Sequence, residues 1–248
     1  MPTARLIIDP PAEGSWNMAV DEALLESAAE SGQIVLRFYE WIPATLSLGY
    51  FQVAADRQQH LASSASPMVR RTTGGGAIVH DHELTYSLIV PVSGRFSAKA
   101  SALYNAMHGS LVDALAAFDI EANLHTAASM HHAPLTEPFL CFQRRAAGDV
   151  LVRGQKIAGS AQRRQRGTIL QHGSVILRRS QAAPEIDGLQ ELGRLDLTAE
   201  TLATRWLRGL TTALSLAIVP GTLCDSEIML AQKLQIGKFA CPNWTERR

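Results

Sequence analysis

"RRTTGGGAIVHDHELTYS", residues 70–87, decides how this chain is read. Two arginines lead into three consecutive glycines, and a His-Asp-His-Glu run follows. Each glycine loses more backbone freedom on folding than any other residue, so three in a row carry a cost. The spacing is not the G-x-G-x-x-G of a dinucleotide site, and no Gly-Lys-Ser/Thr ending marks a P-loop. β-rich runs lie on both sides, at 68–71 before the loop and at 77–80 and 83–92 after it. The loop therefore reads as a link between strands. Two readings stay open: bare amides approaching an anion or carbonyl, or a glycine-rich bend with exposed arginines. Arg70 and Arg71 face opposite sides if they lie on a strand, so at most one meets a ligand.

Working outward, 5–9 reads as a strand closed by Pro10 and Pro11. Residues 15–31 read as a helix, with Ser15 as N-cap and Gly32 as its stop. Runs 34–41 and 44–52 are β-rich and split by Pro43, and 53–62 suits a short helix. The longest helix is expected over 97–118, and 121–140 is expected to be irregular. Residues 148–162 form a hairpin pattern, "DVLV" then "KIAGSA" around "RGQ". A strand over 167–177, a helix over 198–217 starting near Thr198 and a short helix over 226–234 complete the reading. With no repeat, linker or composition break, one α+β domain spanning 1–248 is expected.

The 248 residues hold 23 basic and 23 acidic side chains, a formal net charge of zero. That balance argues against a nucleic-acid partner. The start of the chain shows no signal-peptide pattern, and no apolar run is long enough to span a bilayer. Cys141, Cys224 and Cys241 are sparse and odd in number, so free thiols in a reducing cytoplasm are expected.

Two further features can carry chemistry. Lys156 lies in an apolar strand and is followed by Gly159, Ser160 and Ala161. Such a lysine can present a rigid point charge to a pocket, although an edge-strand lysine facing water is the commoner case. Cys141 sits among apolar neighbours, which favours a buried, inert thiol unless a cation lies close by. Arg163, Arg164 and Arg166 read first as a solvated turn. His80, His82, His131 and His132 lack the spacing of a metal site, so no metal is expected.

Ordered segments now add up to a resemblance. "SWNMAVDEALL", "RFYEWIPATLSLGYFQ", the arginine-glycine loop, "GQKIAGSAQRRQRGTILQHGSVIL" and the ending "CPNWTERR" resemble the biotin/lipoate protein ligase and transferase superfamily. The match is good over about 13–177 and weaker beyond. "HDHELTYS", "CFQ" at 141–143 and the absence of room for an accessory C-terminal domain resemble its cysteine-dependent octanoyltransferase branch. Lipoate-protein ligase A is the neighbouring branch.

The resemblance implies an α+β fold: a mixed central sheet with packed helices and a smaller second sheet. It implies an octanoyltransferase that moves a medium-chain acyl group from acyl carrier protein, through a Cys141 thioester, to a lipoyl-domain lysine. The acceptor would belong to glycine cleavage H protein or a 2-oxoacid dehydrogenase subunit. Lys156 would hold the acyl carbonyl and bias Cys141 toward thiolate. Arg71, Thr73, Gly74, Gly75, Gly76, His80, Gly159, Ser160 and Ala161 would bind substrate. No cofactor is expected; ATP and Mg would enter only for the alternative, an ATP-dependent lipoate ligase. An octanoyl amidotransferase acting between lipoyl domains and a non-catalytic acyl- or lipoyl-binding protein are further alternatives. His80 and His172 are the candidate bases for the acceptor lysine.

Overall fold

The computed structural model describes residues 1–92, 100–126 and 137–248. Its strands are β1 (Thr3–Ile8), β2 (Ile34–Tyr39), β3 (Thr45–Leu48), β4 (Met68–Arg70), β5 (Ile78–His80), β6 (Glu83–Pro91), β7 (Ala122–Leu124), β8 (Val150–Val152), β9 (Gln155–Gln165), β10 (Thr168–Ile176) and β11 (Ala217–Pro220). Its helices are α1 (Gly14–Ser31), α2 (Ala100–Ala116), α3 (Leu189–Gly193), α4 (Ala199–Leu214), α5 (Asp225–Leu234) and α6 (Pro242–Thr245).

The large sheet runs β11-β1-β2-β6-β10-β9-β8-β7, and the small one runs β4-β3-β5. β1 pairs in parallel with β11 and β2, and the β2, β6, β10, β9, β8, β7 pairings are antiparallel. This is the mixed α+β architecture with a smaller second sheet that the sequence led us to expect.

Side-chain alternation along the central strands feeds two cores. On β10, Ile169 packs with the α2 and α4 core, while its neighbour Leu170 packs with the α1 core. α4 buries Leu202, Trp206, Leu210 and Leu214 along one stripe and packs them against Leu103, Met107 and Leu111 of α2. The Trp206 indole donates to Ser110 Oγ at 2.8 Å, and truncating it to alanine would cost roughly 3–5 kcal/mol. α1 is buried from Asn17 to Leu25 because the sheet and α5 both cover it.

Several boundaries differ from expectation. α1 starts at Gly14 with Glu13 as N-cap; Ser15 instead accepts a hydrogen bond from Gln235. Gly32 does end the helix, at φ 70°. The 53–62 segment forms two 3-10 turns, and the helix expected over 198–217 stops at Leu214, where Ser215 turns left-handed into β11. β7 and α3 were not foreseen. β9 runs on to Gln165, so Arg163 and Arg164 lie on a strand. The turn is at Arg166 and Gly167, both with positive φ. Residues 97–99 and the His131–His132 pair lie outside the described residues.

Candidate active site

A cavity lies on the α1 face of the large sheet, under the small sheet and the glycine loop. Its walls are mostly apolar or aromatic: Met18, Tyr39, Trp41, Ile78 and Phe142. Arg71, Gly74, Gly75, His80, Cys141, Lys156, Gly159, Ser160 and Ala161 all line it. Of the expected site residues, only Thr73 and Gly76 stand behind the wall.

Cys141 opens a 3-10 turn that follows a bridge between Leu140 and Ala77, and its amide donates to Ala77 O at 2.7 Å. This short pairing ties the thiol to the far end of the glycine loop. Lys156 Nζ lies 3.7 Å from Cys141 Sγ and 3.5 Å from Cys141 O. The commoner fate for such a lysine, facing water from an edge strand, does not hold here: its side chain is 4% exposed.

Asp149 answers its charge at 2.8 Å, itself only 1% exposed. A buried lysine needs such a partner, because an unpaired buried charge is far costlier than a paired one. Asp149 is pinned in turn by Tyr104 OH at 2.8 Å and the Ala146 amide at 2.7 Å. Burial, then the Asp149 charge, push the Tyr104 phenol well up, so it stays a donor.

The backbone also aims Lys156. β8 pairs Val150 with Ala158 but Leu151 with Lys156, so Ile157 is an extra residue in β9. A β-bulge of this kind bends a strand and redirects side chains beside active sites. Gly159 leaves the room: a Cβ there would lie 2.5 Å from Lys156 Cε and 2.8 Å from Nζ.

The glycine loop is held by Arg71. Its guanidinium donates to Gly74 O at 2.8 Å, Gly76 O at 2.6 Å and Ser47 O at 3.0 Å. Burial lowers its pKa to about 10, with the Cys141 charge opposing that shift. Gly75 sits at φ +94°, which only glycine adopts readily. Among the described residues, no protein acceptor takes the amides of Gly74, Gly75 or Gly76. Arg70 faces the other way, as alternation predicts, and donates to Gly49, Gln52, Trp244 and Thr245 carbonyls. Neither arginine is exposed, so the reading of a bend with solvated arginines is corrected.

His80 and His172 are each engaged at both ring nitrogens. His80 stacks on Trp41 at 3.8 Å and lies between Ser47 Oγ (2.8 Å) and Glu83 Oε1 (2.7 Å). His172 lies between Thr73 Oγ1 (2.7 Å) and Asp21 Oδ2 (3.1 Å). Burial opposes ionisation of Asp21, but His172 and Arg37 together hold its carboxyl below the usual range.

The Ser160 hydroxyl is also committed, to Tyr86 OH at 2.7 Å and His108 Nε2 at 2.6 Å. Burial lowers the His108 pKa to about 4, so the ring is neutral near pH 7. Its Nδ1–H donates to Gly148 O at 2.6 Å, leaving Nε2 to accept from Ser160. Ser160 therefore offers the cavity chiefly its backbone.

Sequence reasoning missed Asp149, Trp41, Tyr39 and Met18. Asp149 could have been sought as the counter-charge any buried Lys156 requires. The remaining three lie on elements far away in sequence, and their periodicity reads simply as core. Among the described residues, no cluster of three His, Cys, Asp or Glu could hold a metal ion.

The two sheets with a glycine loop over a cavity place the chain in the fold class of lipoate ligases. A Thermoplasma acidophilum bipartite lipoate protein ligase, solved with its E2 lipoyl domain, superposes with a TM-score of 0.79. It covers 99% of this chain and 97% of its own, at 20% identity.

The family model for the lipoyl protein ligase A/B catalytic domain matches residues 13–187, and the chain belongs to that family. Octanoyltransferase LipM of Lysinibacillus sphaericus is 34% identical, over 94% of this chain and 95% of its own. The Kyrpidia tusciae protein of the same name is 32% identical over the whole of both chains. These full-length relatives make the chain an enzyme of the acyltransferase class.

Proposed function

We propose that the chain is an octanoyltransferase that works through a Cys141 thioester and needs neither nucleotide nor metal. The donor is octanoyl-loaded acyl carrier protein, and the acceptor is a lysine of a lipoyl domain, in a reducing cytoplasm. The observation that carries this reading is the Cys141 thiol 3.7 Å from the Lys156 ammonium, at the wall of an apolar cavity. A buried cation beside a thiol is the setting that favours nucleophilic cysteine.

In the first half-reaction, the Cys141 thiolate attacks the donor thioester carbonyl. The carbonyl oxygen takes up negative charge between Lys156 and the unpartnered glycine amides. Each good donor to such an oxyanion contributes about 3 kcal/mol. The bond to the carrier sulfur breaks, the carrier leaves as a thiolate that takes its proton from water, and octanoyl-Cys141 remains. In the second, the neutral acceptor amine attacks that carbonyl. The amide forms, the amine proton is lost, and the Cys141 sulfur departs. Thioester exchange is nearly balanced and the amide is more stable, so no ATP is required.

Asp149 keeps Lys156 in place through both steps, and the cavity holds the octanoyl chain away from water. The test is intact mass of the protein after incubation with octanoyl-carrier and no ATP. An octanoyl adduct that Cys141→Ser abolishes supports the reading. No adduct, together with ATP-dependent lipoylation of an acceptor domain, overturns it in favour of a ligase.

A further inference from the structure

Beside the glycine loop lies a rim that the chemistry above does not use. Tyr50 follows β3 and is tied to the loop, its amide donating to Thr73 O at 2.8 Å. Phe51 is 68% exposed and borders Gly74. Three guanidinium groups converge on these rings. Arg247 stacks 3.8 Å over Tyr50, Arg163 lies 5.7 Å from the same ring, and Arg248 lies 5.5 Å from Phe51.

Among the described residues, no carboxylate pairs with any of the three, whereas Arg5, Arg37, Arg144 and Arg179 all have one. The crowding is visible at Tyr50. A hydrogen bond from Arg247, then the charges of Arg247, Arg163 and Arg248, hold its phenol below the ordinary value.

The strand geometry divides the 163–166 run. Arg163 pairs across β10 with Leu170 and turns to the loop side, where it donates to Thr72 O at 3.1 Å. Arg164 pairs with Ile169, whose side chain packs on the α2 face, and so points away from the rim.

We propose that this rim is the docking surface for the carboxylate-rich face of the protein that carries the acyl thioester. Unpaired arginines around an exposed aromatic ring form a surface that lacks its counter-charge, and arginine and aromatics are enriched where proteins dock. The rim stands back from Cys141 by the width of the glycine loop. That offset suits a donor whose acyl group rides on a long pantetheine arm. An acceptor lysine, one side chain long, must instead approach the thiol directly. The inference rests on the proposed Cys141 thioester chemistry.

The test compares two octanoyl donors, loaded acyl carrier protein and the neutral small thioester octanoyl-N-acetylcysteamine, in forming the Cys141 adduct. Arg248→Glu and Arg163→Glu are expected to lower kcat/KM for the carrier on the order of tenfold more than for the small thioester. Arg164→Glu makes the same charge change on the opposite face and is expected to leave both unchanged. Added salt should slow the unaltered enzyme with the carrier and not with the small thioester.

Equal effects on both donors, or no effect with the carrier, would overturn the docking surface. So would a loss confined to transfer onto the acceptor domain. Failure of both donors to acylate the unaltered protein would instead overturn the Cys141 chemistry itself, and the docking inference with it.

Discussion

Gly159→Ala would test whether the placement of Lys156 matters to the chemistry. The added Cβ would lie 2.5 Å from Lys156 Cε, 2.8 Å from Nζ and 3.2 Å from Asp149 Oδ1. Ordinary contact begins near 3.4 Å. The lysine head must therefore retreat by about 1 Å, and a misplacement of that size in an active site can cost on the order of 100-fold in rate. The obstacle is the far end of a flexible side chain, so the backbone has little reason to move. Gly159 φ is not in the left-handed range, so alanine is tolerated locally.

The expected result is a melting temperature within a few degrees of the unaltered protein and acylation of Cys141 slowed about 100-fold. Stopped-time intact mass against octanoyl-carrier reads the rate, and calorimetry reads the stability. Wild-type acylation by a Gly159→Ala protein of unchanged stability would refute the role given to Lys156.

Other outcomes follow from the same contacts. Arg71→Lys keeps a charge but loses the fork that reaches Gly74, Gly76 and Ser47 carbonyls together. It should cost about 3 kcal/mol in urea unfolding and slow acylation. His108 has a folded pKa of about 4, against 6.5 when unexposed to the fold. The unfolded chain binds the proton first as pH falls, so stability should be fully present above pH 6.5. It should decline toward pH 4 by about 3 kcal/mol. His108→Asn should flatten that part of the pH–stability curve, measured by urea melts at fixed pH steps.

The fold was legible where pattern and punctuation agreed. β6 and β10 fall within the β-rich runs 83–92 and 167–177, and Gly32 marked the end of α1. The C-terminal ends of β9 and α4 were misplaced in opposite directions: β9 runs on through polar residues to Gln165 before Arg166 turns, whereas α4 stops at Leu214, where Ser215 takes a positive φ. Arg166 and Ser215 can take that conformation, but nothing in their side chains announces it.

The site was legible as separate pieces. The glycine loop, Cys141 and Lys156 were each visible, but their union depends on the Ala77–Leu140 bridge and the bulge at Ile157. Neither leaves a sequence signal. Asp149 went unread because an aspartate opening the "DVLV" run looks like any strand-end residue until its lysine partner is seen to be buried.

The most direct measurement is a chase of isolated octanoyl-enzyme with a lipoyl domain, without ATP or carrier, followed by intact mass of both proteins. The thioester mechanism predicts that the Cys141 adduct disappears as an octanoyl-lysine appears on the domain, at a rate no slower than steady-state turnover. An adduct that persists while the domain stays unmodified, or a domain modified only when ATP is added, would contradict it.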